Sequence, residues 1–253
     1  MLAPVGLVVT LGMSVDPTVT FPPTRVEPEG LVAFVDDPQW RDSVRLTLVV
    51  ASVSSAIATS VASVLALMTR RARGIVRVGV LALMGTVAAT PTVLHALGFV
   101  ILGEELRIDR MVLMCWAHTT LGLPFAHLVL SLGVQTLRGS LIESAVLLGA
   151  GRVAVLVRVV MPHLAPFAVI AVLLCGVVSI AEPIIGSFLL SDGRATVAQR
   201  SFQGLRYGLG TPVLTAGAWT ALLAAAATFV MLVLMRWIRV RTGLTVRSLT
   251  GTD

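Results

Sequence analysis

"LIESAVLLGAGRVAVLVRVVMPHLAP", residues 141–166, is apolar enough for a membrane, yet it contains a glutamate, two arginines and two prolines. A hydrocarbon core of about 30 Å needs about 20 apolar helical residues to cross it. Only thirteen residues separate Arg138 from Arg152, and Glu143 lies among them. This part is too short and too charged to cross. We therefore expect a helix outside the bilayer, followed by a second helical stretch that enters it at Pro162.

The whole chain has the composition of an integral membrane protein. Of its 253 residues, 56% are hydrophobic and 13% are charged, and the mean hydropathy is +0.94. A soluble domain this apolar would have too few charges to cover its surface. All 19 basic residues are arginines, and they flank the apolar segments. That placement favours a role in membrane topology over nucleic-acid binding.

Five apolar segments are long enough to cross the bilayer as helices, and a sixth is short. The five run from Val44 to Met68, Ile75 to Leu102, Met111 to Val134, Met161 to Leu190 and Pro212 to Trp237. The sixth, from Met1 to about Val15, is short and lacks a basic flank, which favours an incomplete or misassigned start. We therefore predict an all-α membrane protein with about six transmembrane helices.

The arginines predict the orientation, because short cytoplasmic loops carry an excess of positive charge. With six spans, the stretches Arg70 to Arg77, Arg138 to Arg158 and Arg236 to Arg247 share one side. Apart from the terminal Asp253, the only carboxylate on that side is Glu143, while most others fall on the opposite side. We expect both termini to be cytoplasmic and the chain to lie in the cytoplasmic membrane.

The segment outside the bilayer has the signals of a short amphipathic helix between spans four and five. Ser140 and Glu143 have the spacing of a capping box, which predicts the helix start, and residues 149–151 (Gly-Ala-Gly) predict its end. One face is apolar, formed by Leu137, Leu141, Ala145 and Leu148. Two interpretations stay open: a surface helix that only connects two spans, with Glu143 as a capping group, or a docking helix for a cytoplasmic partner.

A resemblance to a known family supports the docking helix. The pattern Glu, x, Ala, three residues, Gly, Ala and a later Pro resembles the EAA loop of permease subunits in binding-protein-dependent ABC importers. The matching residues are Glu143, Ala145, Gly149, Ala150 and Pro162. Ser144 stands where the family usually has Ala, and Met161 where it usually has Leu. The resemblance implies a type I permease fold in which this loop is the coupling helix.

The resemblance extends over most of the chain and implies its organisation. Residues 1–43 would hold the short apolar span and an external loop with an interfacial helix, "GLVAFVDDPQWRDSV", in which Trp40 lies at headgroup level. Residues 44–237 would form the permease domain, and residues 238–253 a cytoplasmic tail. "SFQGLRYGLGTP", residues 201–212, resembles an external segment of permeases in the polyamine, phosphonate and ferric-iron group.

The resemblance also implies the partners. They are ATP-binding cassette ATPase subunits, a second permease that is the same chain or a related one, and an external solute-binding protein. The chain has no G-x-x-x-x-G-K-[ST] phosphate loop and no lysine, so we expect it not to be an enzyme and to need no cofactor. Arg152 would contact acidic groups on the ATPase or membrane lipid. We expect no metal site and no nucleic-acid partner.

Two polar residues inside the predicted spans are candidates for the translocation path. Glu182 precedes Pro183 in a helix that we expect to be broken there, and a buried carboxylate must be paired or hydrated. It either contacts the solute or bonds freed backbone groups. His118 and His95 are expected to make interhelical hydrogen bonds, and His118 to border the path. Buried negative charge favours a cation such as a polyamine as solute.

Two other classes of protein remain as alternatives to the importer. An ion-coupled secondary carrier would use Glu182, but the chain has a single such carboxylate and no repeated half. A membrane scaffold without transport would leave Glu182 and the docking loop without a role.

The orientation predicts which single cysteines can be labelled in intact cells. After replacement of Cys115 and Cys175 by serine, Asp192→Cys should react with a membrane-impermeant maleimide, since it lies outside. Glu143→Cys should react only after permeabilisation. The opposite pattern would reverse the orientation and contradict the docking helix.

Overall fold

The computed structural model of the chain describes residues 3–14, 25, 27, 36–70, 72–190, 193–207 and 211–242. The regular elements in these residues are helices, namely α1 (Ala3–Gly12), α2 (Pro38–Arg70), α3 (Gly74–Ala89), α4 (Thr92–Leu106), α5 (Arg110–Thr136), α6 (Gly139–Leu147), α7 (Arg152–Ile180), α8 (Ile184–Leu189), α9 (Val197–Tyr207) and α10 (Thr211–Thr242).

Four of these helices are long and apolar enough to cross a bilayer, namely α2, α5, α7 and the part of α10 from Val213 to Trp237. The bent pair α3 and α4 makes a fifth crossing if the pair counts as one span. The all-α membrane class predicted from the sequence is therefore confirmed. The predicted spans at Val44 to Met68, Met111 to Val134 and Pro212 to Trp237 correspond to α2, α5 and α10.

The predicted short first span appears as α1, which has 10 residues. At about 1.5 Å per residue this helix reaches only about half of the hydrocarbon thickness. It packs against α10, where Thr215 Oγ1 donates to the Gly12 carbonyl at 2.9 Å. A Cβ on Gly12 would lie 2.5 Å from the Cβ of Ala218, so glycine permits this close approach. As described, α1 is a helix packed on the last span and is too short to cross by itself.

The predicted span from Ile75 to Leu102 is sharply bent in the structure. The structure has two helices there, α3 and α4, with a bend of 100° between them. The break falls at Thr90, which has an extended backbone (φ −72°, ψ 125°), immediately before Pro91. Proline has no N–H to continue a helix, and its ring disfavours helical geometry in the preceding residue.

The predicted fifth span, Met161 to Leu190, has different boundaries in the structure. Helix α7 begins earlier, at Arg152, and ends at Ile180, and α8 is a separate short helix. Residues Leu156–Val160 of α7 form a π-helical turn directly before Pro162. Pro162 cannot donate to the carbonyl of Arg158, and the wider turn accommodates the missing bond. The break that Pro183 predicted is confirmed, because it lies between α7 and α8.

The predicted interfacial helix at residues 30–44 lies partly outside the described residues. Its described end belongs to α2, which begins at Pro38. Trp40 is buried in a cluster with Val197 and Ala216, and its position at headgroup level stays a prediction. The guanidinium of Arg200 lies 5.8 Å from the centre of its ring. Contact with α9 and α10 therefore covers this tryptophan.

Helices α2, α5 and α7 form the centre of the fold. Small residues let their backbones come close: Ala58 and Ala62 of α2 are completely buried, and the Cys175 thiol of α7 donates to the Gly122 carbonyl of α5 at 3.2 Å. In a membrane, such close packing supplies much of the energy of helix association.

Hydrogen bonds at the two ends of α2 show which connections lie together. At its last residue, Arg70 Nη2 donates to the Leu137 carbonyl at 2.8 Å, next to the start of α6. Near its first turns, Thr47 Oγ1 accepts from the Val197 N–H of α9 at 2.9 Å. The loop carrying Arg70 and the loop carrying Glu143 therefore share one end of the molecule, and α9 lies at the other.

The packing of α5 on α7 predicts an effect of adding a single methyl group. A Cβ on Gly133 would lie 2.7 Å from Phe167 Cγ. Gly133→Ala should therefore destabilise the purified chain by about 1–3 kcal/mol, which thermal unfolding in detergent would measure.

Gly98→Ala in α4 is the matched control, because a Cβ there meets no atom within 4 Å. Both substitutions raise helix propensity by the same amount. The difference between their unfolding midpoints therefore measures the effect of the steric clash. Equal unfolding midpoints for the two variants would contradict the described packing.

Candidate functional site

The first candidate site is α6 together with the turn that joins it to α7, at the end of the molecule where α2 and α5 also end. Helix α6 confirms that a short helix lies between the two spans. Its N-cap is Arg138, which makes no side-chain capping bond, so the predicted capping box with Ser140 as the cap is wrong. Arg138 already has the extended backbone of a cap (φ −66°, ψ 128°), which places Ser140 inside the helix.

The end of α6 is a Schellman turn, and it explains three of the residues in the EAA-like pattern. Gly149 has φ +83°, its N–H donates to the Val146 carbonyl at 2.9 Å, and the Ala150 N–H donates to the Ala145 carbonyl at 3.0 Å. Glycine is favoured at the left-handed position because it has no Cβ. Ala145 and Ala150 both pack against the core cluster around α5 and α7, which ties the turn to the spans.

Only part of α6 packs against the rest of the protein. Ile142 and Ala145 contact the core, while Leu141 is 51% exposed. Leu147 and Leu148 are 87% and 88% exposed. Leu137 lies before the helix, as the C-cap of α5, and is buried. Of the predicted apolar face, only Ala145 is a helical residue that packs inward, so the protein leaves leucines uncovered at this end.

The remaining residues of the pattern lie at the surface beside this turn. Glu143 is exposed on α6, and Arg152 is exposed as the first residue of α7. Pro162 is exposed two residues beyond the π-helical segment. The structure therefore brings Glu143, Gly149 and Arg152 to one end of the molecule, with a continuous helix leading from them into the spans.

The second candidate site is the break between α7 and α8, which contains Glu182. This residue is 6% exposed. Its Oε1 accepts from the Ile184 N–H and its Oε2 from the Ile185 N–H, both at 2.8 Å. The carboxylate therefore occupies backbone donors at the start of α8 that have no partner within the helix. The sequence left two roles open for Glu182, contact with the solute or bonding of freed backbone groups. The structure shows the backbone bonds.

The expected interhelical bond of His118 is present next to this break. Its Nδ1 lies 2.7 Å from Ser179 Oγ, and the side chain is 2% exposed. Its Nε2 is buried and has no hydrogen-bond partner among the described residues. No such bond is described for the ring of His95, whose buried Nδ1 has no partner there either. The bond from His118 joins α5 to the last turn of α7, three residues before Glu182.

Several buried polar groups that the sequence did not single out support α8 and α9. Gln199 Oε1 accepts from the Thr196 N–H at 3.4 Å, and a Cβ on Gly186 would lie 2.6 Å from the same oxygen. Arg200 Nε donates to Ser43 Oγ at 2.9 Å. In the sequence these residues belong to an ordinary amphipathic stretch, and only their long-range partners mark them.

The two candidate sites are separate. Glu143 lies at the end of α2 that carries Arg70, whereas the break at Glu182 leads into α8, which packs with Val50, Ala96 and Met114 in another cluster. Within the described ranges, no three His, Cys, Asp or Glu side chains come together in a group that could hold a metal ion.

Comparisons with known proteins find likeness in structure only. No family model matches the chain, and no curated protein matches it. A chain of a bacterial ABC transporter involved in the import of the acidic polysaccharide alginate has a TM-score of 0.62 at 16% identity, covering 92% of this chain and 88% of that one.

A second solved structure gives the same result. A chain of a bacterial alginate ABC transporter, in complex with an alginate pentasaccharide-bound periplasmic protein, has a TM-score of 0.57 at 16% identity. The match covers 87% of this chain and 85% of that one. The chain therefore has a fold found in ABC transporters, over almost its whole length.

The two bonds of Glu182 predict the effect of removing its charge. Glu182→Gln keeps the shape but leaves one acceptor oxygen, so the amide group must face one of the two N–H donors. We expect the purified chain to lose about 1–2 kcal/mol of stability, measured by thermal unfolding in detergent. A matched change is Gln203→Glu, at an exposed position of α9, which should leave the unfolding midpoint unchanged. An unchanged midpoint in Glu182→Gln would contradict the capping role.

Proposed function

We propose that this chain is a transmembrane permease subunit of an ATP-driven importer of the ABC class. The observation that carries the proposal is α6, a short surface helix with uncovered leucines, joined by a Schellman turn to a helix that runs into the membrane. The EAA-like residues lie in and around this turn. The fold shared with chains of ABC transporters supports the same class, with the identity of 16% limiting that support to the fold.

In this proposal α6 docks on a cytoplasmic ATPase subunit. Leu147 and Leu148 are 87% and 88% exposed, and apolar side chains at a membrane protein's aqueous end gain free energy when a partner covers them. Glu143 supplies a charge that sets the register of the contact. Arg152 would contact acidic groups on the partner or lipid headgroups.

The turn and α7 suit a mechanical connection. Because Ala145 and Ala150 pack on the core, α6 cannot swing freely about the turn. Displacement of α6 by a closing ATPase dimer would move α7, which is continuous from Arg152 to Ile180. With no phosphate loop in its sequence, the chain would take the energy of transport from the partner.

The proposed assembly contains two permeases and two ATPase subunits, together with an external solute-binding protein. One of the similar structures includes a periplasmic protein with bound alginate pentasaccharide, which supports a binding-protein partner for this chain. We place the assembly in the cytoplasmic membrane, with the α6 end and both termini on the cytoplasmic side, as the arginine distribution predicts.

Glu182 and His118 stay candidates for the translocation path, since both are buried beside a helix break. The expectation of a cationic solute rested on the buried negative charge of Glu182, and both oxygens of that carboxylate accept backbone N–H groups. The similar solved structures belong to transporters of an acidic polysaccharide. The polyamine prediction and the likeness to the polyamine, phosphonate and ferric-iron group therefore have no structural support, and we do not extend the proposal to a particular solute.

The alternative of an ion-coupled carrier is less well supported than the importer. It would need Glu182 to exchange an ion, yet the carboxylate caps α8 in the structure. It would also leave the exposed end of α6 without a partner. Addition of a purified ATP-binding partner separates the two: the importer predicts stimulated ATP hydrolysis, and the carrier predicts none.

The Schellman turn predicts a specific uncoupling change. Gly149→Leu places a side chain at φ +83°, where an L residue costs about 1–2 kcal/mol, although a Cβ there meets no atom within 4 Å. The strained turn should shift α6 and reduce the stimulation of ATP hydrolysis several-fold, while the chain remains in the membrane.

Gly151→Leu is the matched control for that change. Gly151 lies two residues away, has φ −68°, and also has open space around a Cβ. It should keep most of the stimulation. Equal stimulation by both variants would show that the turn does not position α6 for an ATPase.

A further inference from the structure

A cavity of about 320 Å³ lies between α2, α3 and α5, at the end of the molecule where α2 ends. Its lining combines two arginines, Arg70 and Arg77, with neutral polar residues such as Thr69 and Gln135. Among the described residues that line it, none is an aspartate or a glutamate. The proposed docking surface on α6 does not include these residues.

The two arginines give the cavity an uncompensated positive charge. Arg70 is held at the rim because its Nη2 donates to the Leu137 carbonyl at 2.8 Å, a neutral partner that leaves its charge in place. In the part of the chain that the structure describes, neither Arg70 nor Arg77 has an ion pair with a carboxylate. Two positive charges beside one cavity attract an anion, and a bound anion offsets the repulsion between them.

The rest of the cavity wall is apolar and open to the side of the protein. Leu81 of α3 is 53% exposed, and Leu128 and Leu132 of α5 are 62% and 44% exposed. Leu128 and Leu132 lie in α5, which is long and apolar enough to cross the bilayer, and Leu81 lies in the bent pair α3 and α4, so we expect the surface beside these leucines to face hydrocarbon. A ligand that fills the site therefore needs both an anionic group and apolar chains.

We propose that this cavity binds an anionic phospholipid, with the phosphate between Arg70 and Arg77 and an acyl chain along Leu81, Leu128 and Leu132. A basic pocket between transmembrane helices near the membrane surface is a known kind of site for such headgroups. A small soluble anion would satisfy the arginines but would leave the apolar wall uncovered. The lipid bound there would hold α3 against α2 and α5, next to the bend at Pro91.

The test is lipid binding to the purified full-length chain, by native mass spectrometry from detergent. The chain is mixed with equal amounts of phosphatidylglycerol and phosphatidylcholine, which differ in net charge. The wild type should retain phosphatidylglycerol preferentially. Arg77→Gln should weaken that binding about fivefold, as expected for one arginine near a membrane surface. Arg236→Gln, which removes the same charge from α10 outside the cavity, should bind as the wild type does.

A second pair of variants tests the position of the lipid without changing charge. Gly85 lines the cavity and Gly79 does not, and a Cβ at either meets no atom within 4 Å. Gly85→Leu should block the cavity and lower phosphatidylglycerol binding, whereas Gly79→Leu in the same helix should not. Both changes raise helix propensity, so neither is expected to unfold α3.

Four results would overturn the proposal. They are equal retention of the two lipids by the wild type, unchanged binding in Gly85→Leu, a loss of the same size in all four variants, and displacement of the lipid by excess inorganic phosphate. The last result would assign the arginines to a small anion. Preferential retention that Arg77→Gln and Gly85→Leu alone reduce, and that inorganic phosphate does not reverse, supports the lipid site.

Discussion

The constraint on which this structure depends is that backbone N–H and C=O groups inside a bilayer must be bonded within the protein. Water is absent there, and each unbonded group costs several kcal/mol. The long spans meet this requirement by being helices. The interruptions need particular solutions: a π-helical turn before Pro162, and the two carboxylate oxygens of Glu182 at the start of α8. Each interruption therefore places an irregular turn or a polar side chain inside the fold.

The same constraint separates the two ends of the molecule. In the proposed arrangement α6 lies outside the hydrocarbon, where it can end in a glycine turn and leave leucines uncovered, because water bonds the free backbone groups and a partner can cover the apolar ones. The Schellman turn closes α6 on its own carbonyls, while Ala145 and Ala150 attach it to the core. A surface helix attached in this way to an unbroken span can pass on a displacement, which is what an ATP-driven permease requires.

Particular residues show how far prediction from the sequence reached. The spans α2, α5 and α10 were predictable within a few residues, because their apolar runs are long and end at arginines. The run from Ile75 to Leu102 was equally apolar but contains two helices, since Pro91 breaks it with a bend of 100°, an angle that the sequence does not predict. The capping box failed because Ser140 and Glu143 have the right spacing, yet Arg138 takes the cap position.

Composition and local spacing are enough to predict the membrane environment, the helical class and the loop pattern at residues 143–162. The tertiary structure alone decided that Glu182 caps α8, that His118 meets Ser179, and that Arg70 and Arg77 border one cavity. The reason is physical: a hydrogen bond or a cavity requires groups distant in the chain to lie within a few ångströms, and that proximity follows from how the helices pack.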